Sequence, residues 1–599
     1  MSEAGEATVA DGQGDAQQGA APQGAARQGA DAAATEQPVH GGKIVARAMA
    51  SRGVSHLFTL SGGHIFSIYD GCKEQGIEIV DVRHEQAAVF AAEGFAKATR
   101  RLGVAALTAG PGVTNGVSAI AGAQANGSPV TVLGGRAPEM RWGSGSLQEM
   151  DHLPFVSPLV KSAETVKEAG RIGQVTAEAL DRAAAAPTGP TFVDYPMDVV
   201  FMEGEPGIPP PPTGADGDAA PDGVAPDGVA PDGGSPAAGV EEAAQLLAGA
   251  ERPVIMAGTG LYWGRAEHEL QRLAEVLGIP VFLNGMGRGC LAADHPLAFS
   301  RARGAGLGGA DVALVIGVPM DFRLGFGASF GEETEIIRLD CEPNRLTANR
   351  PPRLDLVGDI RASLAAIAES AGAGGDGSDA AGGRRTAAWV ETLRETENER
   401  RAAEQQELSD ERSPLHPVRV YGELDQVLDR NAIVVGDGGD FVSYAGKFIN
   451  TYEAGCWMDP GPFGCLGAGP GQAIGAKLAH PDRQVCLLLG DGAFGFSGIE
   501  FDTMARHGLG VVGVMGNNGI WALEHHPMKF LYGYSVAAEL RPETPYHRMV
   551  ESLGCDGIEV RDPAELRPAL ERAFSSGRPT LVNVITDPEV VYPRKANLA

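Results

Sequence analysis

In the stretch VCLLLGDGAFGFSGIEF a buried apolar run, Val485 to Leu489, stops at Gly490-Asp491-Gly492 and continues as a helical pattern. Ligands of open α/β sheets collect beyond the carboxyl ends of strands, where helix starts present unpaired N–H groups suited to phosphate. Two glycines let the backbone turn tightly and come close to an anion, and Asp491 between them offers a hard oxygen. Phosphate and carboxylate repel unless a cation lies between them, and Mg²⁺ is the natural bridge because it takes oxygen ligands and is shared between carboxylates and phosphates. The next apolar run, GVVGVMGNNGIW, ends in Asn517-Asn518, so an amide oxygen stands at the end of a second strand, one strand-helix-strand step later. GDG alone reads equally well as a tight turn before a helix. GDG followed at that spacing by NN is a far more specific signal.

Together these two segments resemble the thiamine diphosphate binding motif of thiamine diphosphate-dependent decarboxylases and carboligases. The resemblance implies that Asp491 and Asn518 ligate Mg²⁺ through their side chains and that a main-chain oxygen of Ile520 completes the set. It also implies that Gly490, Gly492 and Ala493 face the diphosphate with backbone N–H groups. Upstream, GPFGCLGAGPGQAIGAKLA is similar to the family's glycine-rich segment. There Leu466 would stand under the thiazolium and the Gly464 carbonyl would face the aminopyrimidine.

Thiamine diphosphate works as an electron sink once its thiazolium has lost a proton. That step needs a carboxylic acid on the aminopyrimidine ring, and a Glu in an apolar pocket suits it, because desolvation favours sharing a proton over standing ionised. Glu85 lies just beyond an apolar run at the start of an amphipathic helix, where the helix dipole alone would also favour it. The sequence from RHEQAAVFAAEGF through GPGVTNG to VLGGRAP resembles the pyrimidine-binding domain of acetolactate synthases almost throughout, and Glu85 falls on that family's activating glutamate. The same match puts Gly63 of LSGGH on the active-site floor and Gln148 of GSLQEMDH near the substrate. His84 reads as either a supporting histidine or a proton donor. Since the family's pyrimidine and diphosphate domains meet across subunits, a homodimer or homotetramer is expected, with a regulatory subunit left open.

Sheets must position these residues. The 599-residue chain is globular in composition, 43% hydrophobic and 21% charged, and much of its Gly (84) and Pro (40) sits in low-complexity stretches. Residues 1–37 read as a disordered tail, 205–238 as a Pro-stiffened acidic linker and 370–386 as a flexible tether. That leaves blocks at 38–204, 239–369 and 387–599. Each alternates short β-branched runs with helical patterns, which predicts an α/β fold of three consecutive doubly wound parallel-sheet domains. The resemblance names them pyrimidine-binding, central and diphosphate-binding.

In the middle block RPVIMAGTG and LVIGVPMDFR end as strands on Gly258-Thr259-Gly260 and before Arg323. Comparable segments of acetolactate synthases hold a non-catalytic FAD, with Arg323 as the candidate arginine beside it. The glycines read equally well as close helix-strand packing, and the family's GMHG segment is replaced by SRARGAGLGGADV.

The leading expectation is an acetolactate synthase-type enzyme that decarboxylates pyruvate and joins the resulting enamine to a second 2-oxo acid, a step of branched-chain amino acid biosynthesis. The alternative is a 2-hydroxyacyl-CoA lyase or oxalyl-CoA decarboxylase-like enzyme. NNGIW is similar to that branch, Glu524 and His525 would be its acid/base groups, and Arg141, Arg301, Arg303 and Arg323 would meet an anionic CoA tail. A catalytically silent thiamine diphosphate-binding subunit is the reading of another class. A formal net charge of −29 argues against nucleic acid or an anionic membrane as partner. No run of about 18 apolar residues is present and the N-terminus lacks a basic and apolar leader. Seven scattered cysteines without a CxxC pair read as reduced core residues of a cytoplasmic protein.

Overall fold

The apolar runs that end in Asp491 and Asn518, Val485–Gly490 and Val511–Asn517, are interior strands of a parallel sheet, buried on both faces, which is why they read as unbroken hydrophobic stretches, whereas the strand before Glu85, Glu78–Asp81, is a half-exposed edge strand. The computed structural model describes residues 38–212, 234–343, 347–373 and 381–593. The expected tail 1–37, residues 213–233 of the linker, 374–380 of the tether and the C-terminal residues 594–599 lie outside them.

Three six-stranded sheets follow one another along the chain. The first is ordered Glu78–Asp81, His56–Thr59, Gly103–Leu107, Val130–Arg136, Thr191–Pro196, Ala163–Thr165, with every neighbouring pair parallel. The third runs Trp457–Met458, Ile433–Asp437, Val485–Gly490, Val511–Asn517, Thr580–Ile585, Asp556–Val560, again all parallel. Numbered along the chain, both sheets have the order 2-1-3-4-6-5, so the first and third blocks are topological copies. The middle sheet has the doubly wound order 3-2-1-4-5-6, from Ala298–Phe299 at one edge to Leu354–Val357 at the other. A two-stranded antiparallel pair, Val39–His40 with Glu203–Gly204, ties the ends of the first block together.

The strands that the sequence does not announce, Ala163–Thr165, Ala298–Phe299, Leu354–Val357, Trp457–Met458 and Asp556–Val560, all lie toward or at sheet edges. An edge strand needs no long two-faced apolar run. The helix Ala381–Leu408, which the sequence reading divides between the tether and the third block, packs on the middle sheet. Its Leu393 and Trp389 join that core, Glu397 accepts the Ala302 N–H at 2.8 Å, and Glu404 pairs with Arg301 at 3.1 Å.

The first and third blocks meet along the helices Glu85–Thr99 and Ala468–Ala479. A Cβ on Gly94 would fall 2.3 Å from the Gln472 carbonyl oxygen, and one on Gly475 would fall 2.1 Å from that of Ala91. Glycine at both crossings therefore lets the two backbones touch. Within this contact Glu93 is fully buried and satisfied by Asn126 (2.8 Å), Ser128 (3.0 Å), Gln472 (2.9 Å) and Lys97 (3.1 Å). A buried charge needs such complete partnering to be tolerated.

Candidate active site

In both outer sheets strands 1 and 3 are neighbours whose connections leave in opposite directions, and the crevice beyond their carboxyl ends is where an open α/β sheet binds ligands. In the third sheet those ends are Asp437-Gly438-Gly439 and Gly490-Asp491-Gly492. In the first they are Leu60 to Gly63 and Thr108 to Gly112.

Asp491 is 3% exposed and opens the helix Asp491–Ser497. Its carboxylate accepts the N–H of Gly492 at 3.1 Å and that of Gly519 at 2.9 Å, so it bridges the ends of two adjacent strands. Burial, with Asp440 nearby, pushes this carboxyl up to about 7. Asn518 accepts the Ile520 N–H on Oδ1 at 3.2 Å and donates from Nδ2 to Asp440 at 3.4 Å. Burial raises Asp440 as well, with Glu524 contributing. Neither Asp440 nor Asp491 has a basic side-chain partner among the described residues. Two buried carboxylates without a counter-charge are an arrangement that a divalent cation would complete. Asn517, by contrast, is structural: its Nδ2 donates to Asn583 Oδ1 and to the Thr544 carbonyl, both at 3.0 Å.

The glycine-rich segment packs onto the same crevice. Asp437 is fully buried and accepts the Gly467 N–H at 2.9 Å, and burial pushes its carboxyl up to about 7. Gly438 has φ 58°, and a Cβ there would lie 2.0 Å from Leu466 Cδ2, so Leu466 covers the turn. Gly464 is exposed with φ 67°. The indole of Trp521 lies against Gly492, where a Cβ would meet its ring at 2.6 Å, and Ala493 is buried beside it.

In the first block Glu85 is 8% exposed and begins its helix, with His84 as the N-cap whose Nδ1 accepts the Gln86 N–H at 3.2 Å. His84 thus supports the turn. Glu85 Oε2 accepts from Asn115 Nδ2 at 3.0 Å, and Oε1 faces Gly112, whose missing Cβ would sit 3.6 Å away. Around them, Gly63 opens on free space, His64 meets Thr108 Oγ1 at 3.2 Å, and burial lowers the His64 imidazole. Gln148, half-buried with φ 61°, packs on Gly110. Gly110 is in turn gripped by His152, which accepts its N–H at 3.0 Å and bonds Asp194 at 2.8 Å. The two halves approach one another within one chain where Gln86 Nε2 lies 3.7 Å from Cys465 Sγ.

The remaining sequence candidates lie elsewhere. Arg323 is held by Asp321 (2.7 Å) and, with Gly258, Thr259, Asn284 and Gly317, lines the middle-block side of a narrow cleft that Ala125 and Pro462 of the other blocks close. Arg301 is engaged by Glu404, Arg303 bonds the Arg323 carbonyl at 3.0 Å, and Arg141 is exposed. His525 bonds Ser535 (2.9 Å), and Glu524 is exposed but near enough to act on Asp440. The sequence reading missed Asn115 and Asp440, although both follow strand ends, in GPGVTNG and GDGGD, at the crevices just described.

Crevices at equivalent places in two topologically matched α/β domains, one supplying buried carboxylates at glycine turns and the other a shielded glutamate, define a cofactor-dependent enzyme. Family models match all three blocks: thiamine pyrophosphate enzyme, N-terminal TPP binding domain at residues 39–155, central domain at 240–367 and C-terminal TPP binding domain at 437–584. The chain belongs to the thiamine pyrophosphate (thiamine diphosphate) enzymes. It is 56% identical over 575 residues to a probable acetolactate synthase of Mycobacterium bovis and to the acetolactate synthase large subunit IlvG of Mycobacterium tuberculosis, covering 94% of this chain and 99% of each relative. It is also 34% identical to 2-hydroxyacyl-CoA lyase 2 of Caenorhabditis elegans, over 91% of this chain and 89% of that protein.

Proposed function

We propose that the protein is a Mg²⁺-dependent thiamine diphosphate carboligase of acetolactate synthase type, decarboxylating pyruvate and joining the remaining two-carbon unit to a second 2-oxo acid. The observation that carries this reading is the buried Asp491 carboxylate, which joins two strand ends in the third sheet's crevice and has no basic partner among the described residues. The 56% identity to named acetolactate synthases selects the reaction within the family. Residues 38–204 serve as the first domain, 239–369 with the helix Ala381–Leu408 packed on them as the second, and the rest of 387–599 as the third.

Thiamine diphosphate, when bound, supplies the electron sink that lets a 2-oxo acid lose CO₂ and form a new carbon–carbon bond. In this reading Asp491, Asn518 and the Ile520 main-chain oxygen would hold Mg²⁺, Gly490 and Ala493 would turn their N–H groups to the diphosphate, and Gly492, whose N–H Asp491 holds, would let the backbone come close to it. Leu466, resting on Gly438, and the Gly464 carbonyl shape the wall beside the cofactor's rings. Glu85 holds a proton at Oε1 toward the pyrimidine while Asn115 occupies Oε2. Gly63 leaves room for substrate, and Gln148 stands at the substrate's edge.

Large apolar side chains are exposed beside each half-site: Met140, Leu147 and Phe155 on the first block, Phe463, Phe496 and Phe530 on the third. Monomers rarely leave such faces bare, which supports a homodimer or homotetramer. Seven free cysteines fit a reducing, cytoplasmic setting. No helix among the described residues is long and apolar enough to cross a membrane.

FAD remains the proposal for the middle cleft on a single observation: the buried Asn284 Nδ2 there has no acceptor. The glycines do not argue for it, since Gly260 and Gly317 press on each other, a Cβ on Gly260 meeting the Gly317 Cα at 2.6 Å. The acyl-CoA alternative draws on Arg303, whose guanidinium burial and the neighbouring Arg288 and Arg323 charges push down to about 10, a crowding that an anionic tail would relieve. A titration of Asp491→Ala with thiamine diphosphate and Mg²⁺ tests the core assignment. The variant loses cofactor retention if the assignment is right; unchanged Mg²⁺-dependent affinity refutes it.

A further inference from the structure

The turn that presents Glu85 is held by a residue from another block. After the strand Glu78–Asp81, residues 82–84 carry the chain to the helix that begins at Glu85, and the backbone N–H groups ahead of a helix have no partner within it. Glu500, fully buried, meets that need: Oε1 and Oε2 accept the Arg83 N–H at 3.1 and 3.2 Å, and Thr503 Oγ1 steadies the carboxylate at 2.6 Å. The contact is reinforced from the same segment of the third block. Arg506 pairs with Asp81 at 2.7 Å and bonds its carbonyl at 2.8 Å, His507 reaches Asp81 at 3.1 Å, and Arg83 lies 3.7 Å from Asp502.

No ion pair engages Glu500 among the described residues; its partners are backbone N–H groups and one hydroxyl. A carboxylate bound that way favours one turn geometry, because charge-assisted bonds to N–H are short, directional and costly to lose when buried. The segment that bears it starts at Asp491, runs through the helix Asp491–Ser497 and the turn Gly498–Glu500, and ends against Arg83. The candidate cation ligand and the candidate activating carboxylate are therefore joined by one stretch of chain.

We propose that Glu500 is a positioning residue for Glu85: by gripping the Arg83 N–H it fixes the turn that aims the Glu85 carboxyl group, and couples that aim to the Asp491 segment. The proposal rests on the reading of Glu85 as the group that promotes deprotonation of bound thiamine diphosphate. The full-length protein and its Glu500→Gln, Glu500→Ala, Glu85→Gln and Glu85→Gln/Glu500→Ala variants test it by two measurements.

The first, made without cofactor, is deuterium uptake of the peptide spanning residues 82–86. Uptake rises in Glu500→Gln if the carboxylate grips the turn; unchanged uptake overturns the proposal. The second is the rate at which the thiazolium C2 proton of bound thiamine diphosphate exchanges with solvent deuterium. Misplacing a reacting group slows such a step, and about tenfold or more is expected for Glu500→Ala, with cofactor affinity nearly unchanged. In the Glu85→Gln background the same change should cost nothing further, because Glu500 acts through Glu85. An equal further loss in that background shows an independent structural effect and overturns the proposal. If Glu500→Ala does not fold, Glu500→Gln carries the test: slowed exchange supports the proposal and a wild-type rate contradicts it. Wild-type exchange in Glu85→Gln alone marks the failure of the Glu85 reading itself.

Discussion

Asn115 Nδ2 donates to Oε2 of Glu85 at 3.0 Å, so the amide fixes one carboxyl oxygen and leaves the other facing the space over Gly112. An amide donor also favours an oxygen that bears charge over one that bears the proton. The arrangement thereby steers the proton of Glu85 to Oε1, the oxygen turned away from Asn115.

Asn115→Ala should keep cofactor affinity and lose about tenfold to a hundredfold in turnover, the usual cost of removing an orienting partner. Steady-state rates beside a thiamine diphosphate titration check this. Asn115→Asp should be worse than Asn115→Ala, since a carboxylate facing Oε2 lacks the N–H donor and would repel that oxygen, turning the Glu85 carboxyl group out of its aim. Wild-type activity in both variants would show that the contact is incidental.

Gly492→Ala should disturb the third-sheet crevice more than its size suggests. Its Cβ would lie 2.6 Å from the ring of Trp521, the residue that caps the helix Ala522–Tyr532, and that ring meets Phe496 edge-on, so the rigid indole must shift. A loss of about 1–3 kcal/mol in unfolding free energy is expected, with a change in Trp521 fluorescence and weaker cofactor binding.

Asp437 predicts a pH dependence. Its folded carboxyl is pushed up to about 7 from an ordinary value of 3.8, so the folded state holds this proton where the unfolded chain has lost it. Stability from this group is complete below about pH 4 and is lost as the pH rises through about 7, at about 1.4 kcal/mol per pH unit within that window. Asp437→Asn keeps an acceptor for the Gly467 N–H and removes the ionisation. Urea unfolding of the cofactor-free protein should therefore fall less steeply between about pH 4 and 7 in the variant than in the wild type.

Much of this was legible in the sequence because the informative residues are local. Val485 to Gly492 carries strand, turn and ligand in eight positions, and HEQAAVFAAEGF carries cap, glutamate and helix in twelve. The interior strands announced themselves for the same reason: burial on both faces demands unbroken apolar runs. What escaped depends on contacts between distant segments. Glu500 reads as one more helix-flanking glutamate until Arg83 is placed against it, and Arg323 reads as free until Asp321 claims it. Asp556–Val560 pairs on one side only and shows no core strand pattern. His525 looked poised for chemistry beside NNGIW, but the chain turns its imidazole to Ser535.

The central claim is that this crevice joins 2-oxo acids. Its most direct test is product analysis of the purified full-length protein supplied with thiamine diphosphate, Mg²⁺ and pyruvate, with and without FAD. Acetolactate together with released CO₂, absent in Glu85→Gln, is the predicted result. A protein that binds thiamine diphosphate yet leaves pyruvate unchanged, and instead cleaves a 2-hydroxyacyl-CoA, would contradict it.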